Sequence, residues 1–190
     1  MSTRQKWIIV IVILLVVIIG LSVFIGGLNK VVRMDESVTE AWAQIDTQLQ
    51  RRADLIPNLV QTVKGYARHE KEIFEHVADA RKAWAGAKSI PDKIAAAGAM
   101  EGALARLMLI VERYPDLKAN QNFLHLQDQL EGTENRIAVA RTRYNRSVKD
   151  FNAYIREVFG RMFARLRGLG RPHTYFEISE EAKEVPKVEF

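Results

Sequence analysis

An uninterrupted apolar stretch near the start of the chain is the first feature of its hydrophobic pattern. Residues 7–28 contain no charged side chain and consist mainly of Ile, Val and Leu. As a helix at about 1.5 Å per residue, such a stretch spans roughly 33 Å, which matches the hydrocarbon core of a bilayer. The pattern therefore predicts an uncleaved transmembrane helix over 7–28, preceded by a short basic N-terminus at 1–6.

Two other interpretations of this stretch are weaker. A cleaved signal peptide usually has an apolar region of only about 7–15 residues and a small-x-small cleavage site, which residues 24–29 do not supply well. A core helix of a soluble protein would be polar on one face, whereas this stretch is apolar on every face. We therefore expect a single-pass protein of the cell membrane. Basic residues flank the stretch on both sides, so the positive-inside rule leaves the side of the soluble domain open.

Beyond the apolar stretch, apolar residues recur at helical spacing and alternating strand patterns are missing. Two series repeat every seven residues, as they do in helices packed along a seam. The first comprises Trp42, Leu49, Ile56 and Val63, and the second comprises Phe123, Leu130, Ile137, Tyr144, Phe151 and Val158. The sequence thus predicts an all-α protein with a helical domain over 29–160, followed by a basic and apolar segment and an extended tail over 161–190.

Three breaks divide this domain into four predicted helices. Gly65 ends the first, and residues 89–92 separate the second from an alanine-rich third. Tyr114-Pro115-Asp116 then introduces a fourth helix that runs to about Val158. The lengths fit an antiparallel up-and-down four-helix bundle, in which two short helices cover half of a pair of long ones. A helix that continues through Gly65 into the second helix, or one that kinks at Pro57, remains an alternative.

Composition and charge exclude several classes of function. The net charge is +5, a surplus too small for a nucleic-acid partner, which needs a concentrated basic face. Cysteine is absent, which excludes disulfides, thiolate metal sites and cysteine nucleophiles. No histidine follows a carboxylate at the spacing that metal sites in helical bundles require. No catalytic or phosphate-binding motif occurs, so we expect no enzyme activity, no cofactor, no metal ion and no small-molecule substrate.

Charged residues within the heptad seams suggest a buried ion pair. Arg52 stands where its heptad neighbours are apolar, while Glu134 and Arg141 occupy the secondary seam position of the last helix. Matching the ends of two antiparallel helices brings Arg52 opposite Glu134. We hypothesise that this pair fixes the helix register, as buried polar groups do in other helical assemblies. The alternative is that both side chains point outward into solvent.

Two further polar series lie on the predicted helices. Asp54, Asn58 and Thr62 are spaced by four, and Asn145 and Asn152 are spaced by seven. Asparagine is a poor helix former, so its recurrence at helical spacing indicates interhelical hydrogen bonds or a recognition surface. We expect the structural role, because no pocket-forming glycines or clustered aromatic residues accompany these side chains.

The segment after the last predicted helix combines basic and apolar residues. Its arginines are Arg161, Arg165, Arg167 and Arg171, and they alternate with Met162, Phe163, Leu166 and Leu169. This composition suits the headgroup region of a bilayer, and we expect 161–171 to contact lipid. The alternative is a solvated basic segment whose apolar residues cap the bundle. Residues 175–177 and 185–190 are predicted to form an extended, mostly disordered or loosely docked tail.

Several motifs together resemble the LemA family. They are Glu40-Ala41-Trp42, Arg51-Arg52-Ala53-Asp54-Leu55-Ile56-Pro57-Asn58-Leu59-Val60, Val63-Lys64-Gly65-Tyr66-Ala67 with His69-Glu70, Tyr144-Asn145, Phe151-Asn152, Tyr175-Phe176-Glu177 and Pro186-Lys187-Val188. The matches cover nearly the whole chain after the apolar stretch. The resemblance implies a bacterial-type, membrane-anchored four-helix bundle for which no catalytic residues are established.

Together these features favour a membrane-tethered adaptor or scaffold. Its expected partners are the lipid bilayer and other membrane or envelope proteins, which it would bind through the polar face of its helices. Peripheral binding to a lipid surface is the second interpretation, and it requires that residues 161–171 mediate vesicle association. An undetected hydrolase is the third, and it requires turnover that a histidine substitution abolishes.

Overall fold

Helices form nearly all of the secondary structure of the described chain. The structure is a computed structural model that describes residues 3–177. Within that range the helices are α1 (Thr3–Tyr66), α2 (Lys71–Gly86), α3 (Ile90–Val111), α4 (Pro115–Lys118), α5 (Gln121–Tyr154) and α6 (Val158–Leu166), and no strand occurs there. The prediction of an all-α chain is therefore confirmed.

Helix α1 is 64 residues long and joins the apolar stretch to the first heptad series without a break. The helix continues through Pro57 and ends at Tyr66, one residue after the glycine that was expected to end it. In the turn that follows, Ala67 N donates to Val63 O at 2.9 Å and Glu70 N donates to Ala67 O at 3.2 Å. The alternative of one helix running on into α2 is therefore wrong, which agrees with the low helix propensity of glycine near this end.

The apolar stretch at the start of α1 is largely exposed. Among the described residues, two helices, α1 and α3, are long and apolar enough to cross a bilayer by length and composition. The apolar window of α1 is 0% buried, whereas that of α3 is 39% buried. Exposed apolar surface of this extent is unfavourable in water, so α1 presents the surface that is typical of a lipid-facing helix.

Helix α3 begins at a capping box that separates it from α2. Ser89 Oγ accepts a hydrogen bond from Asp92 N at 3.2 Å, and Asp92 Oδ2 accepts one from Ser89 N at 3.3 Å. Both satisfy backbone donors near the helix end that have no partner within the helix, and Pro91 suits the first turn because its missing N–H costs nothing there. The buried side of α3 consists of Ala96, Ala97, Met100, Ala103, Leu107, Ile110 and Val111, and α3 packs against α2.

The prediction of a single fourth helix is wrong, because two helices, α4 and α5, cover its span and α6 begins where it was expected to end. After the short α4, Asn120 Oδ1 accepts hydrogen bonds from Asn122 N and Phe123 N at 2.9 and 3.1 Å and caps α5. Helix α5 ends at Tyr154, where a turn closed by the hydrogen bond from Glu157 N to Tyr154 O leads into α6. The heptad residues from Phe123 to Phe151 are buried, but Val158 is 83% exposed because the turn ends the heptad phase.

The described chain divides into two units, each built from distant parts of the sequence. One unit comprises the described residues up to Glu40 together with Arg146–His173, and the other comprises Ala41–Asn145 together with the described residues from Thr174 onward. In the second unit, Trp42 packs edge-on against Tyr144 with ring centroids 5.5 Å apart. Arg52, further along α1, pairs with Glu134, which comes earlier on α5. Helices α1 and α5 are therefore antiparallel in this unit.

Candidate functional site

Arg52 carries a positive charge into the interior of the second unit, where it is only 3% exposed. Its Nη1 donates to Glu134 Oε2 at 3.0 Å, and its Nη2 donates to the backbone oxygen of Ala97 at 3.1 Å. Its Nε is buried and has no hydrogen-bond partner among the residues that the structure describes. The Glu134 side chain is 48% exposed, so one end of the pair is hydrated and the other is not. The structure thus brings together the two residues of the hypothesised pair.

A cleft of about 890 Å³ opens beside this ion pair. Helices α1, α2, α3 and α5 line it, together with Phe176 and Glu177. The volume exists because α3 contributes mostly small side chains, which are Ala95, Ala97, Gly98, Ala99, Gly102 and Ala103. The basic residues of its lining are Arg52, His76, Arg106 and Arg141, and the acidic residues are Asp79, Glu101, Glu134 and Glu177. Charges of both signs in an open cleft suit a polar partner surface better than a small apolar ligand.

An extended segment docks at the edge of this cleft. Asn145 Nδ2 donates to the backbone oxygen of Phe176 at 3.0 Å, and Phe176 N donates to Asn145 Oδ1 at 2.8 Å. A side-chain amide offers one donor group and one acceptor, as a peptide unit does, so Asn145 pairs with this backbone as a neighbouring strand would. Phe176 is buried, with its ring centroid 6.3 Å from that of Trp42 and 5.9 Å from the guanidinium of Arg141.

Within the first unit, Asn152 makes the same kind of contact. Its Nδ2 donates to the backbone oxygen of His173 and its Oδ1 accepts from His173 N, both at 2.9 Å. His173 Nε2 also lies 2.7 Å from Asp35 Oδ1, and its ring packs against Phe151 with centroids 4.7 Å apart. The partners that the structure gives Asn145 and Asn152 are thus the backbone of an extended segment and not side chains of a second helix. The part of the predicted tail at 175–177 is extended and docked, and residues 185–190 lie outside the described residues.

The Tyr144 hydroxyl provides a pH-dependent test of the docking of residues 174–176 in the second unit. Its Oη donates to the backbone oxygen of Thr174 at 2.7 Å, and burial raises the pKa of Tyr144 to about 12 from its ordinary 10.0. Because the folded state holds this proton more tightly than the unfolded state, the stability it contributes is complete below pH 10 and is lost as the pH rises toward 12. At about 1.4 kcal/mol per pKa unit, the loss is at most roughly 2–3 kcal/mol.

We expect Tyr144→Phe to be less stable than the wild type by about 1 kcal/mol at pH 9, the typical value of one hydrogen bond. The difference should shrink or reverse by pH 12, because phenylalanine does not ionise. Circular dichroism, used to follow the unfolding of both proteins between pH 9 and 12, measures the difference in their free energies of unfolding. Alkaline effects that are common to both proteins cancel in this difference. A difference that stays constant with pH would contradict the assigned role.

Two predicted polar residues of α1 do not take part in any interhelical layer. Asp54 and Asn58 are exposed, and Asp54 Oδ1 accepts a hydrogen bond from Gln50 Nε2 one turn earlier at 2.8 Å. The reason is angular: at 100° per residue they point away from the buried face formed by Ile56, Leu59 and Val63. Both side chains thus lie on the exposed face of α1.

The four arginines of the predicted lipid contact are all exposed. Arg161 and Arg165 lie on α6, whereas Arg167 and Arg171 follow it. In the described part of the chain, no group of three or more histidine and carboxylate residues is placed to hold a metal ion.

The sequence did not predict the hydrogen bond between Asp35 and His173 or the burial of Phe176 beneath Arg141. The only available signal was the presence of Tyr175-Phe176-Glu177 among the motifs of the resemblance, and a motif does not reveal a contact.

Comparison with known proteins gives one family. The sequence model described as the LemA family matches residues 41–190. Similar curated proteins are the magnetosome protein MamQ of Magnetospirillum gryphiswaldense, at 28% identity, and the magnetosome protein MamQ 2 of Paramagnetospirillum magneticum, at 27%. Each match covers 78% of this chain and 64% of the relative, so the chain spans a little under two thirds of the length of these relatives. Since the family model matches well over half of its residues, the chain belongs to the LemA family.

Proposed function

We propose that this protein is a membrane-anchored adaptor, held in the bilayer by the apolar start of α1, whose cleft binds a segment of another membrane or envelope protein. The main support is the cleft itself, whose lining includes a buried arginine and exposed charges of both signs. Hydrogen bonds to Glu134 Oε2 and to the backbone oxygen of Ala97 fix the Arg52 guanidinium, so its positive charge is held beside the cleft.

The docking of Phe176 supports an extended polypeptide as the ligand. Asn145 holds the backbone of this residue through a donor and an acceptor, and Arg141 covers its ring. The same cleft lining thus already binds extended chain at one edge, through contacts that another polypeptide can also make. Extended segments are commonly recognised through backbone hydrogen bonds of this type.

We further infer that the part of α1 beyond the apolar stretch packs with α2, α3 and α5 as an antiparallel up-and-down bundle. In this bundle, Arg52 and Glu134 fix the register. The antiparallel contacts of α1 with α5 and the packing of α2 on α3 support this arrangement. A single buried polar group is a known device for specifying register in helical assemblies. The relatives are named after a cellular structure, the magnetosome, and not after a reaction. We extend that kind of role, and not the magnetosome itself, to this chain.

Site-specific photo-crosslinking in native membranes tests the adaptor role. A photo-reactive residue in place of Ala99, which lines the cleft, should crosslink to a membrane or envelope protein, identified by mass spectrometry. Arg106→Glu, which reverses a charge of the lining, should lower that yield about tenfold, equivalent to about 1.4 kcal/mol of affinity.

The control places the same photo-reactive residue at Asn58, which is exposed on the far side of α1. Equal products from positions 58 and 99, or a yield at 99 that Arg106→Glu leaves unchanged, would contradict the proposal.

A further inference from the structure

Helix α6 has three distinct faces. Its buried face consists of Gly160, Phe163 and Ala164. Its exposed apolar face consists of Val158, Phe159, Met162 and Leu166, which at 100° per residue fall within an arc of about 100°. Arg161 and Arg165 are exposed next to this arc on its other side. A short helix with separate buried, apolar and basic faces is not explained by packing within the chain alone.

The buried face attaches α6 to the end of the apolar stretch of α1. The Phe163 ring packs edge-on against Phe24 with centroids 5.6 Å apart. It also lies so close to Gly27 that a side-chain Cβ at that position would overlap the ring. Phe24 and Gly27 belong to the last turns of the stretch 7–28. The apolar face of α6 is therefore held beside the point where the lipid-facing surface of α1 ends.

The ends of α6 also hold it in place. At its start, Tyr154 precedes the turn into α6, and Lys30 Nζ lies over the Tyr154 ring at 4.4 Å. At its end, Leu169 N donates to Ala164 O at 2.8 Å and Gly168 N donates to Arg165 O at 3.1 Å. With Gly168 at a φ of 73°, these bonds form a Schellman motif, which a glycine in the left-handed region closes without strain. The helix is thus fixed at both ends with its apolar arc outward.

We infer that α6 is an interfacial membrane helix, which inserts Val158, Phe159, Met162 and Leu166 between lipid headgroups and acyl chains. This inference rests on the proposed anchoring of α1 in the bilayer. Three observations select lipid as the occupant of this face. Its apolar arc lies beside an exposed apolar helix, its flank carries cations suited to lipid phosphates, and aromatic and basic side chains sit together at its start, as they do at membrane boundaries.

The absence of cysteine from the chain makes single-cysteine spin labelling of the full-length protein direct. Labels are placed one at a time at Val158, Phe159 and Leu166, at Ile13 in the apolar stretch, and at Leu109, an exposed apolar residue of α3. The protein is reconstituted in vesicles of phosphatidylethanolamine and phosphatidylglycerol. Accessibility to oxygen, which enters the bilayer, is compared with accessibility to a water-soluble nickel complex. The depth parameter is expected to be positive at Ile13 and at the three α6 sites, and negative at Leu109.

Gly27→Leu and Gly26→Leu form a matched pair for the attachment of α6. A Cβ at Gly27 would overlap the Phe163 ring, whereas a Cβ at Gly26 would meet no neighbouring group within 4 Å. Gly27→Leu should move the label at Phe159 toward water and leave the label at Ile13 unchanged, and Gly26→Leu should move neither.

The outcomes separate the two proposals. Labels on α6 that face water while Ile13 stays in lipid would overturn the interfacial helix and leave the anchor standing. Labels on α6 that are immobilised and protected from both oxygen and nickel would show a protein occupant and would also overturn it. Water exposure at Ile13 would remove the anchor itself.

Discussion

Replacing Glu134 by Leu is expected to lower the free energy of unfolding by about 2–3 kcal/mol, whereas replacing Arg52 by Met should cost about 1 kcal/mol or less. Removing Glu134 leaves a buried guanidinium without its carboxylate, and an uncompensated buried charge is expensive. The figure lies below that of a fully buried pair because Glu134 is half exposed. Removing Arg52 instead leaves a carboxylate that water can solvate, and Met fills much of the vacated volume.

Thermal and denaturant unfolding of the full chain in detergent, followed by circular dichroism, measures both changes. The double variant supplies the coupling between the two side chains. Equal losses from the two single variants, or a larger loss from Arg52→Met, would show that the uncompensated charge of Arg52 does not decide the loss of stability. If the cleft binds its partner through Arg52, Arg52→Met should still reduce crosslinking at position 99, although the fold is retained.

A second large effect is expected from Gly160→Ala at the start of α6. A Cβ at this position would overlap the backbone oxygen of Tyr154, and backbone atoms in a closed turn cannot move aside as a flexible side chain can. We expect a loss of about 2–4 kcal/mol of local stability, comparable with severe overpacking. Hydrogen exchange should show the loss in the amides of α6.

Gly132→Ala is the matched control for this substitution. It is also a helical glycine, but its Cβ would meet no atom within 4 Å. Because alanine loses less backbone entropy on folding, we expect this variant to gain roughly 0.5–1 kcal/mol. Fast exchange in α6 with Gly132→Ala, or unchanged exchange with Gly160→Ala, would refute the steric argument.

Much of the fold was predictable because it depends on local periodicity. The residues of the first heptad series, Trp42, Leu49, Ile56 and Val63, are all buried, since an apolar stripe at helical spacing has only one way to leave water. The break before α3 was predictable for a similar reason. Ser89 and Asp92 form a capping box whose residues are three apart in the sequence.

The remaining features depend on contacts between distant residues, which periodicity does not report. The heptad series continues to Val158, yet α5 ends at Tyr154, because a turn over 155–157 overrides a pattern that remains compatible with a helix. The spacing of Asn145 and Asn152 was recognised as unusual, but their backbone partners lie 31 and 21 residues further along the chain. The cleft is likewise not predictable from periodicity, because the small residues of α3 leave open volume only where the facing helices do not fill it.

The contact between Asn145 and the backbone of Phe176 bears on whether another polypeptide can replace this segment. An amide that pairs with main-chain atoms does not distinguish one residue type from another, so the contact does not depend on the exposed side chains of Thr174 and Tyr175. Substitutions at those two positions should therefore weaken the docking of this segment only slightly, provided that the aromatic ring of Phe176 is kept. We therefore expect a soluble peptide that carries this ring on an extended backbone to compete with the protein's own segment.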